Sequence, residues 1–493
     1  MATNPHPLHI LFFPHLAHGH LIPMMDMARL FARQPGVKST IVTTQLNASP
    51  FFQTIENERK SGFQINIKVI KFPYQEAGLP EGYENVSSRY SQQMGADFVK
   101  ALSLLRQPLE RVVEECRPDC LVADQSFPWA TQVANNLGIP RLAFPPTSNF
   151  AVCVFNSLYR NEPQKYIVSD YEPFEVPDIP DKITMIRLQH PDELRDRIDE
   201  ETKKFMDEAL ESDVNCYGVV MNSFKELEPA YVEHYRKVMG RKTWNIGPLS
   251  LCNKNKKDKL QRGNEASIDV NDCLAWLDSK EPNSVLYVCF GTSCWFSAAQ
   301  LNEIAQSLEE SGQDFIWVVR EVDVGKEEEW LPEGFEERVK GKGKGLIIRG
   351  WAPQVLILEH EAVGGFMSHL GWNSTLESIT YGVPMITWPL SNEQFYNEKL
   401  VTEVLRVGVA VGVEEWCDWM EEHRFLVRKQ SIAMAARELM VGDEAEERRK
   451  RSGALKEMAK RAVEEGGSSQ CDLKDLLDGL RLIRSQEIRS EKH

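Results

Sequence analysis

The chain has no apolar run approaching the ~20 residues that a membrane-spanning helix needs. Its most apolar early stretch, Leu8 to Pro14, is far too short. No basic segment, apolar stretch and small-residue cleavage site follow one another at the start, so no signal peptide is expected. Ten cysteines are scattered over 493 residues without dense spacing. That is the usage of reduced thiols in a cytoplasmic protein, not of a disulfide scaffold. Cys116 and Cys120 stand four apart, but no His or Cys cluster completes a set of zinc ligands. Positive charge is scarce too: 57 Lys and Arg face 73 Asp and Glu, a formal balance of −16. Such a chain is a poor partner for nucleic acid or an anionic membrane. A local pocket for one phosphorylated small molecule is not excluded.

Several nucleotide signatures are also missing. Gly-x-Gly-x-x-Gly should follow the first strand of a dinucleotide-binding fold, but His15-Leu-Ala-His-Gly-His20 stands there. A later strand ends in Gly291-Thr292 without further glycines. There is no P-loop and no Gly-x-Ser-x-Gly nucleophile elbow. An Asp-x-Asp pair, a common way to hold a metal against a nucleotide-sugar diphosphate, is absent as well. A diphosphate bound here would fall to backbone amides, hydroxyls and His, with no metal and no cofactor.

What is present is ordinary globular composition, 42% hydrophobic and 26% charged. The length fits two large domains. Leu8 to Pro14 reads as a buried strand. Leu21, Met24, Met25, Ala28, Phe31 and Ala32 then share one helix face, and β-branched Ser39 to Thr44 is the next strand. The layout recurs: a strand at Ser284 to Gly291, a capping box at Ser297-Ala-Ala-Gln300, Gly312, and a strand at Phe315 to Val319. Two such starts predict an α/β chain of two Rossmann-like domains with parallel sheets. Cys252 to Cys273 is polar and reads as a linker whose lysines are solvated. Glu444 to Glu465 reads as a charged helix, Asp472 to Leu480 as a last amphipathic one, and the residues from about Arg481 as a frayed tail. The expected layout is a domain over 1–250, a linker over 251–273, and a domain over 274–470. Residues 471–493 follow as a helix and tail packing back on the first domain.

The most informative segment runs from Trp351 to Gln394. It contains Trp-Ala-Pro-Gln-Val at 351–355, Ser-His-Leu-Gly-Trp-Asn-Ser at 368–374, Leu-Glu-Ser at 376–378, Gly-Val-Pro at 382–384, Trp-Pro at 388–389 and Glu393-Gln394. Gly371 to Ser374 forms a turn into an apolar-periodic helix, and a helix N-terminus is a ready diphosphate site. Taken alone, Ser374-x-x-Glu377 is more readily a plain capping box, and a lone Trp or His is more often structural. The whole segment resembles the signature box of plant UDP-sugar-dependent glycosyltransferases of small molecules. The likeness extends over nearly all of the chain.

That resemblance implies the GT-B fold, two Rossmann-like domains facing a cleft. It implies that Trp351 stacks on uracil, with Ala352 and Gln354 in the same stretch, and that Glu377 holds the ribose diol. His369 and Ser374 would meet the diphosphate, and Trp372, Asn373, Glu393 and Gln394 the sugar. Thr292 and Thr147 match hydroxyl positions near phosphate and sugar. Gln394 and Trp372 favour glucose over galactose and glucuronic acid. Leu370 departs from the usual Cys, and Pro145-Pro146 departs from the usual small loop before Thr147.

Inverting transfer needs a base for the acceptor hydroxyl and stabilisation of departing UDP. His20, at the start of the first helix, is the candidate, since the helix dipole disfavours imidazolium there. His20-x-x-Pro23 matches the family pattern. Asp124, ending the strand Leu121 to Asp124, matches the partner carboxylate, with a helix N-cap as its bland reading. His15 and His18 read as structural or solvated, and Asp119 as lying at the opposite sheet edge. The expected enzyme is a monomer moving glucose from UDP-glucose to a hydroxyl, or a carboxyl, of a flavonoid, triterpenoid or steroid. UDP-galactose, UDP-xylose or UDP-glucuronic acid as donor, and an inactive nucleotide-sugar-binding protein, are the alternatives. Acceptor contacts are expected from Phe72 to Arg89 and Ser148 to Lys204, with Tyr74, Tyr83, Phe150 and Phe155.

Overall fold

The protein is described by a computed structural model covering residues 7–86, 92–195, 200–292, 294–320, 330–418 and 425–490. Of the expected acceptor-side segments, residues 87–89 and 196–199 lie outside the described residues. The chain divides into two compact units. One comprises Met1–Asn149, Asp199–Gly263 and Arg461–His493, the other Phe150–Ile198 and Asn264–Lys460. Among the described residues no helix is long and apolar enough to cross a membrane.

The first unit is built on a seven-stranded parallel sheet. Its strands are β1 (Leu8–Phe13), β2 (Val37–Thr44), β3 (Gln64–Ile70), β4 (Cys120–Asp124), β5 (Arg141–Phe144), β8 (Gly218–Met221) and β9 (Thr243–Asn245). β6 (Phe174–Glu175) and β7 (Thr184–Met185) form a separate antiparallel pair in the second unit. Every residue of β1 and β4 is buried, as in parallel strands covered on both faces. The order is β3-β2-β1-β4-β5-β8-β9, so successive strands step away in opposite directions from the β1–β4 junction. Crevices at such a switch point, beyond the strands' carboxyl ends, are where open α/β sheets bind ligands. β1 and β4 run in register, with Phe13 opposite Ala123. The segments after Phe13 and at Asp124 therefore emerge side by side.

The second unit repeats the design. Strands β10 (Val285–Cys289), β11 (Asp314–Val319), β12 (Gly345–Arg349), β13 (Val363–Ser368), β14 (Met385–Thr387) and β15 (Gly408–Ala410) lie in the order β12-β11-β10-β13-β14-β15. Its switch point is the β10–β13 junction, where Gly291 follows one strand and His369 the other.

Several expectations need correction. Ser297 caps the helix Ala298–Ser311 by accepting from the Gln300 amide at 3.2 Å. The Gln300 side chain does not reach back to complete a box; it pairs with both main-chain groups of Val427, at 2.8 and 3.0 Å. The unit boundaries differ from those expected at 250 and 470. Phe150–Ile198 groups with the second unit, where the Trp416 amide donates to the Leu188 carbonyl at 2.8 Å. The linker's lysines are exposed at 254, 256 and 257, as expected, while other residues in it are tied in: Asn253 donates to Asp26 at 2.9 Å and Arg262 to the same carboxylate at 2.7 Å. Nor do residues beyond Arg481 start a frayed tail. The last helix runs Ser468–Ser490. Arg481 donates to the Pro35 carbonyl at 3.0 Å, and Arg484 pairs with Asp119 at 3.1 Å, all within the first unit.

Candidate active site

α1 (His18–Ala32) begins five residues after β1, with Ala17 as its N-cap. His20 is therefore in the first turn, its ring over the β1–β4 switch point. Its Nδ1 lies 2.8 Å from Asp124 Oδ2. Asp124 is fully buried, while about a quarter (26%) of the His20 side-chain surface remains accessible. Burial pushes the Asp124 pKa up, but the neighbouring His20 and His15 rings and the Ser126 amide outweigh it, leaving a value of about 2. The carboxylate is thus charged at any working pH, and it orders the Nδ1 side of His20, leaving Nε2 as the other ring nitrogen. Asp124 Oδ1 accepts from the Ser126 amide at 3.0 Å, and its carbonyl from Phe127. It caps a turn rather than the helix Ala130–Asn136, whose N-cap is Trp129. Asp119 lies at the other sheet edge, exchanging hydrogen bonds with His9.

His15 packs on His20 with ring centroids 4.8 Å apart, and on Phe127 at 5.9 Å and Phe98 at 6.4 Å. Burial, followed by repulsion from His20, lowers its pKa to about 3, so it is a neutral wall. Behind it Phe13 and Phe127 are core and pack with the half-buried Trp129, centroids 4.7 to 6.0 Å apart. Thr147 lies after β5 in the same unit, buried, and its hydroxyl has no hydrogen-bond partner among the described residues. Of the four aromatics named from sequence, Phe150 is core and Tyr74 is committed to a hydrogen bond with Glu84. Phe155 stacks on Tyr159, and Tyr83 is half-buried.

On the second unit the helix Trp372–Tyr381 follows β13 with Gly371 as N-cap. Ser374 and Glu377 are therefore inside the helix and form no capping box. Instead one amide, Gln354 Nε2, donates to Ser374 Oγ at 3.2 Å and to Glu377 Oε2 at 2.8 Å. Tyr287 donates to Gln354 Oε1 at 3.4 Å. Glu377 is buried and its Oε2 is held by the Gln354 bond. His369 sits in a slot between two glycines. A Cβ on Gly291 would stand 2.5 Å from its Cε1, and one on Gly371 2.6 Å from its Nε2. Gly291 has φ +75°, a conformation that favours glycine. His369 retains some surface, yet burial lowers its pKa to about 4, so it is a neutral imidazole at physiological pH. Leu370, beside it, is fully buried in the left-handed region at φ +67°.

Trp351 exchanges two hydrogen bonds with Ser267: its amide donates to Oγ at 2.9 Å and its carbonyl accepts at 2.8 Å. Gly350 has φ +115° and leaves room for Ser267, which a Cβ would meet. Ala352 is buried, and Thr292 half-buried after Gly291. Trp372, expected to meet the sugar, is buried at 2% exposure. Asn373 is half-buried in the helix's first turn. Gln394 and Glu393 lie at the start of the helix Gln394–Lys399, where Asn397 bridges Glu393 and the Leu370 carbonyl. Among the described residues no three His, Cys, Asp or Glu are grouped to hold a metal ion.

Residues 58–417 match the family described as UDP-glucoronosyl and UDP-glucosyl transferase. The chain belongs to that family. Scopoletin glucosyltransferase of Nicotiana tabacum is 52% identical over 474 residues, spanning 96% of this chain and 98% of the relative. Anthocyanin 3'-O-beta-glucosyltransferase of Gentiana triflora is 52% identical over 473 residues, spanning 95% and 98%. The crystal structure of UGT73P12 of Glycyrrhiza uralensis, complexed with glycyrrhetinic acid 3-O-monoglucuronide, superposes with a TM-score of 0.92 at 42% identity, each chain 98% covered. UGT71G1 of Medicago truncatula, complexed with UDP-glucose, gives 0.77 at 26%, covering 96% of this chain and 98% of that one. This UDP-glycosyltransferase of small molecules accordingly has the GT-B fold of two Rossmann-like units.

Sequence reasoning did not find several residues that shape this transferase's site. Arg141 is buried beneath Asp124, donating to its carbonyl at 3.2 Å and to Thr131 at 2.6 Å. Ser267 was hidden in an expected linker. The glycines at 291 and 371, flanking a His in space, were the one local signal that a close approach was being made.

Proposed function

We propose that the protein is an inverting glucosyltransferase. It moves glucose from UDP-glucose to a hydroxyl of a small lipophilic plant metabolite of flavonoid, triterpenoid or steroid type, and the product is a β-glucoside. The observation that carries this reading is the His20–Asp124 pair, 2.8 Å apart at the switch point of the first sheet. His20 Nε2 takes the proton of the acceptor hydroxyl while Asp124, already ionised, balances the imidazolium. The acceptor oxygen bonds to the anomeric carbon as the bond from that carbon to the β-phosphate oxygen breaks, and the electron pair leaves on UDP. Inversion of an α-linked donor gives the β product. His369, Ser374 and the amides opening the helix Trp372–Tyr381 meet the diphosphate. Glu377 accepts from the ribose hydroxyls, and Trp351 stacks on the base.

Glucose is favoured by Gln394 and by the glucosyltransferase names of the tobacco and gentian relatives. The scopoletin and anthocyanin in the names of the tobacco and gentian relatives support a flat, ring-bearing acceptor. UDP-glucuronic acid stays in the donor panel because the Glycyrrhiza structure holds a glucuronide. The test incubates UDP-glucose, UDP-galactose, UDP-xylose and UDP-glucuronic acid with a flavonol, a triterpene acid and a steroid. Products are weighed by mass spectrometry and their anomeric centres read by NMR. A β-linked hexose product from UDP-glucose is expected. An α-linked product contradicts inversion, and a product from UDP-glucuronic acid alone contradicts the donor.

A further inference from the structure

The turn Ser391–Gln394 is held from two sides within the second unit. On its inner side Gln394 Oε1 accepts from the amides of Leu390 at 2.8 Å and Ser391 at 3.0 Å. Two donors on one oxygen fix which way the side-chain amide points, so its NH2 end faces away from the backbone. On the outer side lies Trp416, itself buried at 8% exposure. Its indole N–H donates to the Asn392 carbonyl at 3.2 Å, and the next amide, Cys417, donates to the Leu390 carbonyl at 2.9 Å. Asn392 sits in the left-handed region at φ +51°, where a non-glycine residue persists because its surroundings hold it. Trp416 is anchored in turn. Its amide donates to the Leu188 carbonyl at 2.8 Å, and its carbonyl accepts from Arg195 Nη2 at 2.9 Å. Arg195 also grips the His190 carbonyl at 2.5 Å.

We infer that Trp416 is a positioning residue for donor-sugar discrimination, acting through the Asn392 carbonyl on Glu393 and Gln394. The inference rests on the proposal that these two side chains face the sugar. Donor hexoses differ in the direction of single hydroxyls, and hydrogen bonds weaken steeply with a few tenths of an ångström or a poor angle. Telling one hexose from another therefore requires a turn that does not drift. The brace comes from the 188–195 segment, which sequence alone would assign to the acceptor side.

UDP lacks the sugar, so its affinity does not read this turn, and that separates positioning from general structure. In Trp416→Phe the ring stays and the indole N–H is lost. The Kd for UDP should stay within about twofold of wild type. The KM for UDP-glucose should rise about three- to tenfold, the worth of one hydrogen bond. The preference for UDP-glucose over UDP-galactose, as kcat/KM, should fall by a similar factor. Gln394→Ala, measured alongside, should lower the same ratio. If it does not, the sugar-facing reading of the turn fails and the inference falls with it. If Gln394→Ala lowers the ratio and Trp416→Phe leaves it at the wild-type value, the inference alone is overturned. Equal weakening of UDP and UDP-glucose in Trp416→Phe also overturns it, since the indole then holds the unit and not the turn. Should Trp416→Phe fail to fold, Arg195→Met decides: a lowered ratio with UDP affinity kept supports the brace, and an unchanged ratio overturns it.

Discussion

His369 has its place because two neighbours have no side chain. The room at Gly291 is 2.5 Å from the ring, and a methyl group needs well over 3 Å, so Gly291→Ala must expel the imidazole. Retreat is blocked on the Gly371 side. Alanine at a left-handed φ adds a strain of about 1 kcal/mol. Gly291→Ala should therefore weaken UDP binding at least about tenfold by calorimetry, a loss of about 1.4 kcal/mol. Unchanged affinity would remove His369 from the diphosphate site. Two other residues set opposite pH dependences. Burial, followed by Arg195, lowers the His190 pKa from 6.5 to about 3. Below 6.5 the unfolded chain binds a proton that the native state refuses, so this group's contribution falls as pH drops toward 3. Burial, opposed by the Thr387 hydroxyl and Lys399, raises Glu398 from 4.5 to about 7. There the native state holds the extra proton, so stability from this group rises as pH drops from 7 to 4.5. Melting curves across that range should show wild type losing ground to His190→Phe with acid, and gaining on Glu398→Gln. A gap that stays constant with pH contradicts either assignment.

At the scale of elements, the last helix acts as a clasp on the first sheet. Asp472 accepts from the Asn245 amide at 2.8 Å and Trp244 Nε1 donates to Asp475 at 2.8 Å, both at strand β9. Arg481 and Arg484 then tie the helix to Pro35, Pro7 and Asp119. Ending the chain at Leu480 removes the second set and keeps the first. The expected loss is about 1–3 kcal/mol of stability in urea unfolding, since the Arg484–Asp119 pair is mostly buried. A truncated protein as stable as the full chain would show that the clasp ends at β9. Leu370 illustrates competing terms at a turn. Glycine there would relieve roughly 1–2 kcal/mol of left-handed strain but empty a fully buried site, costing about 2–5 kcal/mol. Burial wins, which accounts for a leucine in a conformation that favours glycine.

At the scale of the molecule, the two strand–helix–strand starts were legible because apolar spacing is a local signal. Leu8 to Phe13 and Val285 to Cys289 announce buried strands without reference to anything distant. Partners are not local. Nothing in Asn253 or Arg262 advertises a bond to Asp26, and nothing in Leu188 advertises Trp416. Gln300 fits a capping box by spacing, but Val427 competes for its side chain from 127 residues away. His20 and Asp124 are 104 residues apart, and family likeness, not spacing, paired them. The same distance from local signal explains why Ser267 and Trp416 went unseen beside a signature box that was plain to read.

On the proposed mechanism His20, held by Asp124, removes the acceptor proton. The most direct test is His20→Ala, with transfer from UDP-glucose followed by mass spectrometry and UDP binding followed by calorimetry on the same protein. Transfer should fall by at least about a hundredfold, the low end for losing a general base, while the Kd for UDP stays near wild type because the base sits on the other unit. Near-normal turnover in His20→Ala would contradict the account.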